Sequence, residues 1–319
     1  MGEISTGRLT AVLTGCAGAI GFETAVGLAR SGWRTGLLAR EASRAESVAR
    51  RVRERVGPGC PEMIPFGADL SRQVEIRRAA EAIVAAFPAL KLLVHNAGAI
   101  TMERAITEDG VETQLAVHAV APFLLTRLLL PSLRAGAPAR VLVVASRAAR
   151  QGELALDDLR FDRGYDGLAA YERSKLAATL FAFEAARRFA ADRIAVHALH
   201  PGVVDSKLLA DFGAVLRRRR AAGAGRIQRL REASWRACRA IGRALRPGRP
   251  APGTIAPEAG ARTTLWAAIA PELEGVTGAW LEDGRVGDAP AAATDRDLAA
   301  QFWSAAESLI AVPRGTRCS

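Results

Sequence analysis

The chain has 319 residues, 50% of them hydrophobic and 24% charged, the profile of a folded globular protein rather than a largely disordered one. No charge-free stretch exceeds 14 residues, short of the roughly 20 apolar residues that a membrane-spanning helix needs, so no span is expected. The net charge of +11 is uneven. Twelve Arg and two acids between Asp211 and Arg249 give that segment +10 and leave +1 for everything else, so basicity belongs to one segment rather than to the whole protein.

Strand and helix signals alternate from the start. Leu9 to Leu13 is a short apolar run that ends in a Gly-rich turn, and a helix is predicted from Phe22 to Arg30, closed by Gly32. Further strands are predicted at 35–39, 64–68, 90–95, 140–145 and 194–199, with helices at 42–56, 74–87, about 111–133 and 169–191 between them. The segment 211–253 breaks this rhythm, being Arg/Ala-rich and then Pro/Gly-rich; alternation resumes with a helix near 257–269 and a last strand near 277–281. Apolar strands alternating with helices of about 10–20 residues imply parallel strands joined by crossover helices, buried on both faces. The expected fold is therefore α/β, a doubly wound parallel sheet in a single domain over 1–319, with 211–253 as a basic helical insertion.

The four cysteines, Cys16, Cys60, Cys238 and Cys318, are scattered without a CxxC pair, which argues against a disulfide framework or a metal site. The start, MGEISTGRLT, has no apolar leader, so a cytoplasmic location is expected.

Thr14-Gly15-Cys16-Ala17-Gly18-Ala19-Ile20-Gly21 follows the first strand and opens the first helix. Backbone N–H groups at a helix N-terminus suit a pyrophosphate, and glycine lets the backbone come close to it. This placement predicts a Rossmann-type dinucleotide site. The second strand ends Leu38-Ala39-Arg40 with no acid at its tip. A carboxylate there would accept the ribose hydroxyls of NAD, whereas a guanidinium forks onto a 2′-phosphate, so NADP(H) is preferred and NAD(H) is the second choice.

Tyr171-Glu172-Arg173-Ser174-Lys175 places Tyr and Lys four apart on a predicted helix, hence on one face. With two Tyr and three Lys in the chain, a chance pair at that spacing is a roughly 2% event. A free phenol has a pKa of about 10, and an adjacent ammonium is expected to lower it toward the range of general acid catalysis.

At these residues the chain resembles the short-chain dehydrogenase/reductase family, over nearly its whole length outside 211–253. The family's pieces occur in order: TGCAGAIG (14–21), Asp69-Leu70, Asn96-Ala97-Gly98, Ser146 after RVLVVA, YERSK (171–175) and Pro201-Gly202-Val203-Val204-Asp205-Ser206. GFETA (21–25), Asp157-Asp158-Leu159, SKLAATLF (174–181), HPGVVDSKL (200–208) and PELEGVTGAW (271–280) are most similar to its retinol-dehydrogenase-like branch.

The resemblance implies roles. Gly15, Ala17, Ile20 and Gly21 would form the phosphate turn, with Arg40 on the 2′-phosphate and Asp69 and Leu70 by the adenine. Asn96, Ala97 and Gly98 would line the cofactor cleft, and Pro201, Gly202, Val204 and Ser206 would frame the nicotinamide. Ser146 would bond the substrate oxygen, Tyr171 would transfer the proton, and Lys175 would tune Tyr171 and hold the nicotinamide ribose. Two positions depart from the family: Ala19 stands where a glycine is usual, and His118 where the long helix usually has an Asn that helps hold a proton-relay water. His118 reads either as a substitute relay through its two nitrogens or as a packed or solvated side chain with no catalytic part.

In the basic segment Ile227, Leu230, Cys238, Ile241 and Leu245 fall on one helical stripe opposite Arg229, Arg236, Arg239 and Arg243, an amphipathic helix. It reads as a substrate lid, as a basic face resting on an anionic membrane surface, or as a solvated Arg face. Nucleic acid is not expected, because Trp235 is the only aromatic in the run and no binding motif accompanies it. The expected partner is a small apolar ketone, aldehyde or alcohol, and the family admits a homo-oligomer. The leading function is an NADP(H)-dependent oxidoreductase; the alternative is a cofactor-binding sensor or interaction protein on the same fold with weak or no turnover.

Overall fold

A computed structural model describes residues 9–206 and 253–311. The basic segment 211–249 with its predicted helix, and Cys238 and Cys318, lie outside the described residues.

The apolar runs become strands β1 (Thr10–Thr14), β2 (Arg34–Ala39), β3 (Met63–Gly67), β4 (Leu92–His95), β5 (Ala139–Val144), β6 (Ile194–His200), β7 (Trp280–Glu282) and β8 (Arg285–Gly287). They form one sheet in the order β3-β2-β1-β4-β5-β6-β7-β8. Every pairing through β7 is parallel, and β8 is antiparallel to β7. The central strands are buried along their length, as β1 shows at all five positions, which is why they carry no polar alternation. Pro65 sits in β3, the edge strand, where a missing N–H leaves no ladder bond unmade.

Helices α1 (Ala19–Arg30), α2 (Ala42–Val56), α3 (Gln73–Ala86), α4 (Thr113–Ala135), α5 (Gly167–Phe189), α6 (Pro257–Ile269) and α7 (Arg296–Ala311) cover the two faces. Strand order reverses between β1 and β4, and in such sheets ligands bind beyond the strand carboxyl ends at that reversal. Here those ends are Thr14-Gly15 and His95-Asn96.

Several boundaries differ from the sequence expectation. The first helix begins at Ala19, three residues before Phe22, because Gly18 is its N-cap. The last parallel strand is Trp280–Glu282, shorter than expected. It continues into β8 through Asp283 and Gly284, at φ 52° and 71°; two positive φ values in a two-residue turn are the hairpin geometry that Asp-Gly favours. The α4 helix widens to a π-turn over Ala116–Val120. Pro122 has no N–H to offer the His118 carbonyl, and Ala121 N–H reaches back five residues to Ala116. With its mean hydropathy of 1.5, α4 is apolar enough to cross a membrane, yet 72% of its most apolar window is buried in the protein.

The C-terminal helix α7 was not anticipated. Its signals are local: Asp295 accepts from the N–H groups of Asp297 and Leu298, an N-cap, and Leu298, Phe302, Ala306 and Leu309 recur at helical spacing. It lies across α5 and the start of the sheet's helical layer. Trp303 stacks on Phe181 at 6.3 Å and meets Phe123 edge-on at 4.8 Å, under the Arg188 guanidinium. Arg127 of α4 pairs with Glu307, and Gln73 and Arg77 of α3 donate to the carbonyls of Leu309 and Ile310. Trp303→Ala is expected to lower unfolding free energy by about 3–5 kcal/mol, the usual cost of emptying a buried Trp site, read as a lower urea midpoint with an unchanged slope.

Candidate active site

At the strand reversal the chain ties β1 to β4. Thr14 Oγ1 accepts from the backbone N–H groups of Asn96 (3.0 Å) and Ala97 (3.1 Å). The Asn96 side-chain amide donates to the carbonyls of Thr14 (3.2 Å) and Gly15 (3.1 Å). The approach is close enough to require glycine. Gly15 has φ +66°, and a Cβ there would lie 2.6 Å from Ala97 Cα; a Cβ at Gly21 would lie 2.2 Å from the Gly15 carbonyl oxygen. Ala19, in place of a glycine, is simply the first residue of α1. Thr14 is a site residue the sequence reading passed over, although its position at the strand end was the signal.

The α1 N-terminus has no side-chain cap and no acid in its first turn, so its first N–H groups and positive dipole end are presented without a built-in anion. This is the donor set a pyrophosphate needs. Cys16, buried in the turn, has its thiol pushed up to about 12 by desolvation, which keeps it protonated and unreactive. At the tip of β2, exposed Arg40 pairs with Asp69 at 3.5 Å. Asp69 is held by Ser71, whose N–H (2.9 Å) and Oγ (2.7 Å) both donate to it, and Leu70 follows half-buried.

On the other side of the crevice Ser146 ends the loop after β5 and caps a 3-10 turn, its Oγ accepting from Ala148 N–H at 3.2 Å. Asp166 caps α5 through the N–H groups of Leu168 and Ala169, which sets the helix phase that brings Tyr171 to Ser146. A side-chain hydrogen bond joins the two. Lys175, one turn on and buried, donates to the Val144 carbonyl at 2.9 Å, and its Nζ lies 5.9 Å from the Tyr171 ring centroid. Here the structure corrects an expectation. The amine is aimed at a backbone carbonyl and not at the phenol, so burial pushes the Tyr171 phenol up, and the opposing influence is Ser146's hydrogen bond. Burial also lowers Lys175 to about 8.

His118, in the π-turn, is buried beside Tyr171 and bonded at both ring nitrogens, to Ala99 N–H and to Ser174 Oγ. Beyond β6, Gly202 has φ +88°, and Val204 is buried and bridged to Ile255. Pro201 is half-buried, and Ser206 closes the described run. Among the described residues no His, Cys, Asp and Glu group could hold a metal ion.

A glycine-lined turn at the sheet reversal and a Ser146, Tyr171 and Lys175 cluster by the end of β5 are the two parts of the candidate site in this α/β fold. Comparison with known proteins agrees. The short chain dehydrogenase family profile matches residues 9–215. Human dehydrogenase/reductase SDR family member 13 is 36% identical over 311 residues, covering 96% of this chain and 74% of that protein. Human retinol dehydrogenase 14 is 31% identical over 313 residues, covering 94% and 86%. Among solved structures, Pseudomonas aeruginosa RhlG with NADP superposes at TM-score 0.61 and 26% identity, covering 88% of this chain and 96% of that one. The chain belongs to the short-chain dehydrogenase/reductase family, oxidoreductases of alcohol and carbonyl groups, and is similar to its retinol dehydrogenases.

The buried Lys175 makes stability depend on pH. Its folded value of about 8 lies below the ordinary lysine value, so between pH 8 and roughly 10.4 the unfolded chain binds the extra proton and stability rises with pH. Below that window both states carry the charge and the burial cost is constant. Urea unfolding should show Lys175→Met more stable than the wild type at pH 7, with the gap closing as pH passes through the window; a gap independent of pH would contradict it.

Proposed function

We propose that the protein is an NADP(H)-dependent oxidoreductase acting on apolar alcohols, ketones or aldehydes. The observation that carries this reading is the Ser146–Tyr171 hydrogen bond, one helical turn from buried Lys175 and across from the Gly15 cradle. When bound, the nicotinamide supplies or takes up the hydride. Gly15, Ala17, Ile20 and Gly21 present backbone to the pyrophosphate. Asp69 and Leu70 would stand by the adenine, and Asn96, Ala97 and Gly98 would line the cleft. Pro201, Gly202, Val204 and Ser206 would frame the nicotinamide. Lys175 has three donors and has given one to Val144, which leaves two for the ribose. Ser146 holds the substrate oxygen, and Tyr171 gives its phenolic proton to that oxygen in reduction or takes it back in oxidation.

Two observations support NADP(H) over NAD(H). The tip of β2 carries Arg40 and no acid. The Arg40–Asp69 pair is exposed, and such pairs are worth at most about 1 kcal/mol, so a 2′-phosphate can take the guanidinium at little cost. RhlG, 26% identical, is a protein with NADP bound. An apolar substrate is supported by the names of similar proteins: retinol dehydrogenase 14, and mouse polyprenol dehydrogenase at 34% identity over 300 residues.

Tyr171→Phe is expected to lower kcat by about 10²–10⁴-fold, the usual worth of a general acid–base, while cofactor affinity is kept. Turnover of an alcohol and carbonyl panel, followed by reduced-nicotinamide absorbance, checks it, and full activity in this variant would remove Tyr171 from the mechanism. Arg40→Asp should weaken NADPH binding by about tenfold or more and leave NADH binding equal or improved. Equal losses for both cofactors, by fluorescence titration, would count against the 2′-phosphate contact.

A further inference from the structure

His118 is 2% exposed and stands edge-on to the Tyr171 ring, centroids 5.6 Å apart. Its Nε2 accepts from Ala99 N–H at 3.0 Å, and its Nδ1 lies 2.8 Å from Ser174 Oγ. Ser174 Oγ donates to the Tyr171 carbonyl at 2.8 Å. These bonds fix where the protons are. A backbone N–H can only donate, so Nε2 carries no proton. A carbonyl can only accept, so the Ser174 proton is committed to Tyr171, and Oγ must accept from Nδ1–H. The imidazole is thus the neutral Nδ1–H tautomer with both nitrogens in use. Burial, and then the charge of Lys175, hold its pKa well below the usual value; Lys175 and Tyr171, both from α5, are the titratable groups facing it. Gly98 lies beside the ring, where a Cβ would make an ordinary contact 3.4 Å from Nε2.

We propose that His118 is a positioning residue, a neutral strut that fastens the Asn96–Ala99 loop to the Tyr171–Lys175 turn of α5, and that it moves no proton during turnover. The proposal rests on the reading of Tyr171 as the proton-transferring group. A loop lining the cofactor cleft and a phenol that must meet the substrate beside that cofactor belong to different elements, β4 and α5. One rigid ring bonded to both sets their separation, and small errors in such placement are costly in rate. His118 lies within the π-turn over Ala116–Val120, where Pro122 offers its carbonyl no N–H.

The first test needs no substrate. The full-length protein, labelled with 15N-histidine, should show one histidine with a protonated Nδ1 and a bare Nε2 whose shifts do not move between about pH 5 and 8, the range in which a free imidazole titrates. His118→Asn assigns it by removing that signal. An Nε2–H tautomer, or titration within that range, overturns the proposal. The second test separates a strut from a relay. His118→Leu should lower kcat/KM about tenfold, the scale of a lost buried hydrogen bond, and weaken NADPH binding, with the pKa values of the kcat profile unmoved; His118→Asn should recover part of the loss. Disappearance of one limb of that profile would make His118 a proton carrier and sink the idea. If His118→Leu does not fold, Ser174→Ala cuts the same strut with the ring left in place and should give the same split. Should no alcohol or carbonyl be turned over at all, the oxidoreductase reading fails while the tautomer measurement still decides the strut.

Discussion

The arrangement depends on how closely β1 and β4 approach where the strand order reverses. One hydroxyl, Thr14 Oγ1, accepts two successive backbone N–H groups from the β4 end, and one amide, Asn96, returns two bonds to the β1 end. With these two side chains filling the gap, there is no room for another. Gly15 must take a left-handed backbone against Ala97, and Gly21 must pack bare against Gly15. The exposed α1 N-terminus follows from that compactness, since the chain has only Cys16, Ala17 and Gly18 in which to turn from strand to helix.

The opposite wall is governed by burial rather than by proximity of charge. Tyr171 and Lys175 share a helix face, as their spacing requires, but each is desolvated in its own way. The phenol rises and the ammonium falls to about 8, so two groups with similar ordinary values are driven apart, the amine losing its proton well before the phenol. The Val144 carbonyl anchors the amine to β5, so the pair is referenced to the sheet and not only to its own helix.

The C-terminal helix adds a constraint from far along the chain. Through Trp303 it presses on Phe123 of α4 and Phe181 of α5, the two helices that carry His118 and Tyr171. The strut and the catalytic turn therefore sit in a layer closed on its outer side by α7, with Arg127–Glu307 at its rim.

Much of this was legible in residue order. Strand and helix alternation, the glycine turn, Arg40 rather than an acid at the tip of β2 and the Tyr171–Lys175 spacing are short-range patterns, set by period, steric permissiveness and side-chain type within a few residues. The β7–β8 hairpin and α7 are equally local, signalled by Asp283-Gly284 and the Asp295 cap. What only the tertiary structure decided is where protons and charges reside. That Lys175 turns to Val144, that burial outweighs Ser146's hydrogen bond at Tyr171, and that His118 has both nitrogens occupied depend on the tertiary surroundings, with hydrogen-bond partners 19 to 56 residues away for Lys175 and His118. Desolvation and hydrogen-bond pairing are properties of what surrounds a group in space, and a linear pattern does not contain them.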